Sequence, residues 1–143
     1  MDDRSIIGRW QIVAWEQIYD DGRRTYPMGE QVEGFIQYDF DGHMMCMLCR
    51  GDRQNFTKGG QWNASVQEKA DAYGSMMAYA GTYTCMDNTV SHHVQLSAFP
   101  NWKGGIQKRG IEKMDDVQLV LIARLEEKTS EARMARLIWK REN

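Results

Sequence analysis

The sequence predicts a mainly β fold, an up-and-down antiparallel barrel of about eight or nine strands with one helix inserted near residues 65–79. Three observations lead there. Short segments rich in β-branched and aromatic residues recur between turn signals, with no βαβ rhythm. Consecutive segments pair as hairpins that leave one continuous apolar face. About eight strands close into a barrel whose interior is filled by side chains or holds one small ligand. The whole chain, 1–143, reads as a single domain, long enough to bury a core without disulfide or metal staples.

Gly8 to Tyr19 (GRWQIVAWEQIY) opens the barrel. Trp10, Ile12, Ala14 and Ile18 share an apolar face that Glu16 interrupts. Two readings stay open: Glu16 lines the interior, or a β-bulge or the strand's end turns it outward. Asp20-Asp21-Gly22 makes a turn. Val32 to Phe40 and His43 to Cys49 flank Asp41-Gly42, a two-residue hairpin signal. That register pairs Tyr38 with Met45 and Ile36 with Met47, and puts Val32, Ile36, Tyr38, Phe40, His43, Met45 and Met47 on one face. Met44, Cys46 and Leu48 make the second face apolar as well, so this strand needs cover on both sides.

Arg50 to Asn63 is polar and irregular. Ser65-Val66-Gln67-Glu68 fits a capping box, and Val66, Ala70, Tyr73 and Met77 follow at helical spacing. A helix from about Ser65 to Tyr79 is expected, placed to cover the second strand or to lid a cavity. The segment Gly81 to Trp102 then reads as a hairpin about Asp87-Asn88. Its register pairs Met86 with Thr89 and Tyr83 with His92. Gly81, Tyr83, Cys85, Val90, His92, Val94 and Leu96 face inward, whereas His93 joins threonines and serines outside. Strands near Gln107–Lys113, Val117–Arg124 and Ala132–Arg141 complete the set, the last with Ala135, Leu137 and Trp139 on one face. Arg109 shares a face with Leu119 and Leu121 if the Met114–Asp116 turn has three residues, or lies beside Val120 and Ile122 if it has two.

Composition narrows the function. A net charge of −2 gives no electrostatic case for nucleic acid or an anionic membrane. The basic residues near the end are divided between strand faces. The N-terminus lacks a signal-peptide pattern and no apolar run reaches the length of a membrane span, so a cytoplasmic protein is expected. Three cysteines do not make a closed disulfide framework. Cys46 and Cys49 point to opposite faces of a strand, which argues against a zinc or redox pair. The two glycosylation sequons at Asn55 and Asn63, and the tripeptide Arg50-Gly51-Asp52, are accidental in such a chain.

Several stretches carry a family likeness. They are Gly8-Arg9-Trp10, Tyr26-Pro27-Met28-Gly29-Glu30, Gly34-Phe35-Ile36-Gln37-Tyr38 with Asp41-Gly42, and Tyr79-Ala80-Gly81-Thr82-Tyr83. The densest run is Val90-Ser91-His92-His93-Val94 through Phe99-Pro100-Asn101-Trp102, and Arg109 and Leu137-Ile138-Trp139 match too. On these residues the chain resembles the lipocalin-like domain proteins, small intracellular relatives of the calycin barrels. The resemblance covers nearly the whole chain. It implies a calycin-shaped barrel with an internal cavity, and by analogy a relation to isomerases, cyclases and dehydratases of hydrophobic intermediates. The loop Arg50-Gly51-Asp52-Arg53 and the residue Gly110 depart from the family pattern.

His92 is the leading candidate for chemistry, since imidazole exchanges protons near neutrality. Tyr83, directly opposite, would lie within reach and complete an acid/base pair for enolisation, dehydration or cyclisation. The alternative is a buried His–Tyr hydrogen bond that satisfies two core polar groups. Arg109 would receive a carboxylate or enolate, or else sit at the surface or pair with Glu16. Trp10, Glu16, Tyr38, His43, Met45, Met47, Val94 and Trp102 form the expected ligand-binding set, with His43 beside a turn and so partly exposed at the barrel rim. The ten methionines suit either an adaptable cavity or a filled core. No metal site and no cofactor are expected, because His92 and His93 face opposite ways. Three functions remain: a barrel binding a small hydrophobic or aromatic molecule and acting on it through His92 and Tyr83, a non-catalytic carrier using the same cavity, or a packed barrel working through its surface or as a homodimer.

Overall fold

The computed structural model describes residues 3–142. A short 3-10 helix (Asp3–Ile6) precedes β1 (Gly8–Tyr19), the two-residue β2 (Arg24–Thr25), β3 (Val32–Tyr38) and β4 (His43–Arg50). Then come α1 (Val66–Gly74), β5 (Met76–Met86), β6 (Thr89–Ser97), a second 3-10 helix (Pro100–Trp102), β7 (Ile106–Met114), β8 (Gln118–Leu125) and β9 (Arg133–Arg141). From β3 to β9 each strand is the antiparallel neighbour of the next, β1 pairs with β3, and β1 also pairs with β9. That pairing closes β1 and β3–β9 into an eight-stranded barrel, with β2 added beside β1.

β1 reaches both neighbours because it is long. Gly8–Gln11 pair with β3, and Trp10 through Tyr19 run along β9. The register shifts between Ile12 and Ala14, a β-bulge that leaves Val13 exposed. A bulge inverts which residues point inward beyond it. Trp10 and Ile12 face the core before it, and Trp15 and Gln17 face the interior after it. Glu16 is therefore on the outer surface, as the bulge reading has it, and leaves the expected ligand set.

The β3–β4 hairpin differs from expectation by one residue. Its loop is Phe40–Gly42, closed by the Asp39 N–H donating to the His43 carbonyl at 2.8 Å, with Gly42 at φ 91°. This is the three-residue hairpin with a left-handed last position, where the sequence suggested a two-residue turn. Tyr38 consequently faces Met44, and Ile36 faces Cys46. A one-residue slip exchanges the two faces of a strand. Met44, Cys46 and Leu48 are buried, whereas His43, Met45 and Met47 are exposed on the outside.

Ser65 caps α1 as its sequence indicates, with Oγ accepting from the Glu68 N–H at 3.1 Å. The helix ends at Gly74, however, and buries no residue. From Met76 onward the chain pairs with β4, setting Met77 opposite Leu48 and Tyr79 opposite Cys46. Ladder pairing and burial outweigh helical spacing over residues 76–79. The helix does not cover the outer face of β4, and its own Val66 and Tyr73 stay exposed.

The β5–β6 register is the expected one, with Tyr83 opposite His92 and Asp87 and Asn88 both at positive φ in the turn. It shifts at Ala80/Gly81, and beyond that bulge Leu96 is 66% exposed instead of inward. Gly81 is required there, since a Cβ would collide with the His93 carbonyl oxygen. On β7 and β8, Ile111 lies opposite Leu121. Of the two registers left open, this one sets Arg109 on the same face as Leu121.

One end of the barrel is sealed. Ile6 is fully buried, its carbonyl accepts the Trp10 indole N–H at 2.8 Å, and Arg141 stacks over the Trp10 ring at 4.0 Å while donating to the carbonyls of Ser5 and Ile7. Trp10, Tyr38, Val90, Leu119 and Trp139 pack above this seal. The other end carries the 51–75 connection and the Pro100–Trp102 turn. No helix of the described residues is long and apolar enough to cross a membrane.

Candidate functional site

Between the sealed core and the far end lies a cavity of about 350 Å3. Its apolar wall comes mainly from Leu121, Leu137 and Ile36, with three tryptophans, Trp15, Trp102 and Trp139. Its polar residues are Gln17, Tyr79, His92, Gln107 and Arg109. A volume above roughly 300 Å3 with few polar groups is what a small-molecule site requires.

His92 forms part of the cavity wall but is itself 1% exposed. Both ring nitrogens are occupied. The Tyr38 hydroxyl is 2.6 Å from Nε2 and the Tyr79 hydroxyl 2.8 Å from Nδ1. Neutral imidazole offers one N–H and one lone pair, so one tyrosine donates to the ring and the other accepts from it. Burial lowers the His92 pKa to about 3, helped by the nearby Arg109 charge. Burial likewise raises Tyr38 and Tyr79 well above the ordinary phenol range and pushes the Cys46 thiol up to about 12. At neutral pH the cluster holds a neutral imidazole, two phenols and a thiol. Such a set is satisfied and uncharged, and a proton is hard to add to it or remove from it.

The expected partner of His92 is thus not the one seen at its nitrogens. Tyr83 does sit across the ladder, but its hydroxyl donates to the Asp39 carbonyl at 2.8 Å and its ring packs edge-on against Tyr38 at 4.9 Å. Tyr79, two positions before Gly81 on the same strand face, takes the Nδ1 side. The helix expected to run to residue 79 concealed it. The signal was the alternation Met77, Tyr79, Gly81, Tyr83, Cys85, which continues the inward face without interruption.

His92, Arg109 and Trp102 come together around the cavity, and Trp102 meets the Tyr79 ring edge-on at 5.5 Å. Trp10, Tyr38, Val94 and Tyr83 belong to the packed core beside it. Glu16, His43, Met45 and Met47 lie outside. The bulge reading of Glu16 and the exposed place of His43 beside its turn hold, and the inward place expected of Met45 and Met47 is corrected, so none of the four belongs in the ligand set. Glu16, only 6% exposed, is bound by Arg24 at 2.9 Å and by Arg136 at 3.3 Å, and Arg136 also holds Glu112 at 2.9 Å. Its partners are therefore Arg24 and Arg136 and not Arg109. His43 pairs instead with Asp41 at 3.1 Å in the hairpin loop. Trp15, Gln17, Gln107 and Trp139 line the cavity without having been singled out from sequence.

Arg109 is half-buried, donating to its neighbour's Lys108 carbonyl at 3.0 Å and to the Gln107 amide oxygen at 3.3 Å. Among the described residues, no aspartate or glutamate lines the cavity with it.

Comparison with known proteins agrees with this architecture. A lipocalin-like domain model matches residues 7–142. A crystal structure of a lipocalin-like protein from Bacteroides uniformis ATCC 8492 superposes with a TM-score of 0.52 at 14% identity, covering 96% of this chain and 99% of that one. An uncharacterized protein from Bacteroides eggerthii DSM 20697 covers the same shares at 14% identity with a TM-score of 0.48. No curated protein matches. The closed eight-stranded barrel and the match over nearly all of its length place this chain in the lipocalin-like domain family.

Proposed function

We propose that this barrel binds a small hydrophobic or aromatic molecule in the interior cavity beside His92, and that it carries or sequesters that molecule without acid/base chemistry at His92. The observation behind this reading is the cavity of about 350 Å3, apolar for most of its wall and edged by a few polar groups. The state of His92 supports the non-catalytic version. A general base needs a free nitrogen and a pKa near the working pH. Here both nitrogens are bonded to tyrosines, and burial holds the ring neutral.

Three of the cavity residues are tryptophans, so ligand entry is readable by intrinsic fluorescence. A panel of aromatic and aliphatic molecules titrated into the parent should give saturable fluorescence changes and raise the melting temperature. Ala123→Phe, which adds a ring to the cavity wall, should abolish both responses. Equal responses in parent and Ala123→Phe would place binding elsewhere and sink the proposal. Turnover of a bound compound that is lost in folded His92→Ala would instead establish the catalytic version.

A further inference from the structure

We infer that the ligand is an apolar monocarboxylate, held by its charged end at Arg109; this rests on the cavity being a ligand site. Arg109 brings a permanent positive charge to a cavity wall whose other polar residues, Gln17, Tyr79, His92 and Gln107, are neutral. The guanidinium is half-buried at this wall and can meet an anion inside the cavity with its planar fork. Yet the cavity is lined by no carboxylate of the described residues, and the bonds shown for Arg109 are to neutral oxygens of Lys108 and Gln107. The contrast with the outer surface is direct. There Glu16 sits between two arginines and Glu112 completes the chain.

A second observation is independent of the charge. The indole N–H groups of Trp15 and Trp139 are buried without any hydrogen-bond partner, and both side chains line this same cavity. Trp139 is 1% exposed. Orphaned buried donors are uncommon in native proteins. The Trp10 indole, by comparison, is satisfied by the Ile6 carbonyl. One charge thus borders a space lined by no carboxylate of the described residues, and two unpartnered indole N–H groups lie buried in the walls around it. The complement to that set is an oxygen-rich anionic head, and a carboxylate matches the planar guanidinium fork in two parallel bonds.

Volume limits the remainder. At about 30 Å3 for each water-sized group, the cavity holds on the order of a dozen heavy atoms. Decanoate and cinnamate have that size. Leucine and tryptophan side chains would cover the body while Arg109 takes the head.

The test compares decanoate with decanamide, and cinnamate with cinnamamide, by tryptophan fluorescence and calorimetry at pH 7.5. Each pair differs in charge but hardly in shape. At least one acid should bind the parent tenfold or more tightly than its amide. In Arg109→Gln that ratio should fall toward one, and Arg109→Lys should keep an intermediate preference because it retains charge without the fork. Amide binding as tight as acid binding, or a preference that survives in Arg109→Gln, would overturn the carboxylate inference while leaving the cavity reading in place. Failure of both acids and both amides to bind the parent would overturn both. If Arg109→Gln does not fold, the parent ratios and Arg109→Lys still decide.

Discussion

Burial of His92 makes the stability of this barrel depend on pH in a calculable way. In the unfolded chain the imidazole titrates near 6.5, and in the folded barrel burial lowers this to about 3. Below pH 6.5 the unfolded chain takes up a proton that the folded one refuses. The contribution is therefore complete above pH 6.5 and is lost as the pH falls from there toward 3. Linkage between these two values amounts to roughly 2 kcal/mol between pH 8 and pH 5. That is a large part of the ~5–15 kcal/mol by which such domains are stable. The informative variant is Tyr38→Phe/Tyr79→Phe/His92→Leu. It removes the ring and both hydroxyls together, so no tyrosine is left buried without a partner. Urea unfolding followed by tryptophan fluorescence at pH 8, 6 and 5 should show the parent losing about 2 kcal/mol more than this variant. Contributions from the acidic residues and the other histidines cancel in the difference. Parallel pH profiles would mean that His92 titrates normally in the folded state, and the account of a neutral, locked imidazole would be refuted.

Three further outcomes follow from the same structure. His92→Ala alone leaves two buried hydroxyls unsatisfied and should cost about 3–6 kcal/mol in urea unfolding, well above the triple variant per group removed. Gly81→Ala sets a methyl against the His93 carbonyl and should destabilise by about 2 kcal/mol or more, whereas Gly22→Ala, where a Cβ meets no atom within 4 Å, should cost less despite its positive φ. Glu16→Gln breaks the bridge between Arg24 and Arg136 and should cost about 1–2 kcal/mol, an effect reduced at high salt because both arginines are partly exposed.

The barrel itself was legible in the sequence. Turn residues and period-two alternation marked nearly every strand, and Asp87-Asn88 fixed a hairpin register that set His92 inward and His93 outward. These are local properties, carried by backbone preferences and by which residues avoid water. The capping box likewise located the start of α1.

What the sequence could not decide was parity beyond a bulge and the identity of partners across the interior. The extra residue at Val13 turned Glu16 outward and Trp15 inward. A loop one residue longer than expected moved Met45 and Met47 out and Cys46 in. Each shift is a single residue, but a strand inverts completely when slipped by one. The hydrogen bonds of His92 come from β3 and from the start of β5, 54 and 13 residues away. No local pattern encodes such distances, because closure of β1 on β9 sets them for the whole barrel at once. Sequence alone determined a barrel with His92 inside it. Tertiary structure decided that Tyr38 and Tyr79 bind the imidazole, and that Arg109 stands beside a cavity lined by no carboxylate of the described residues.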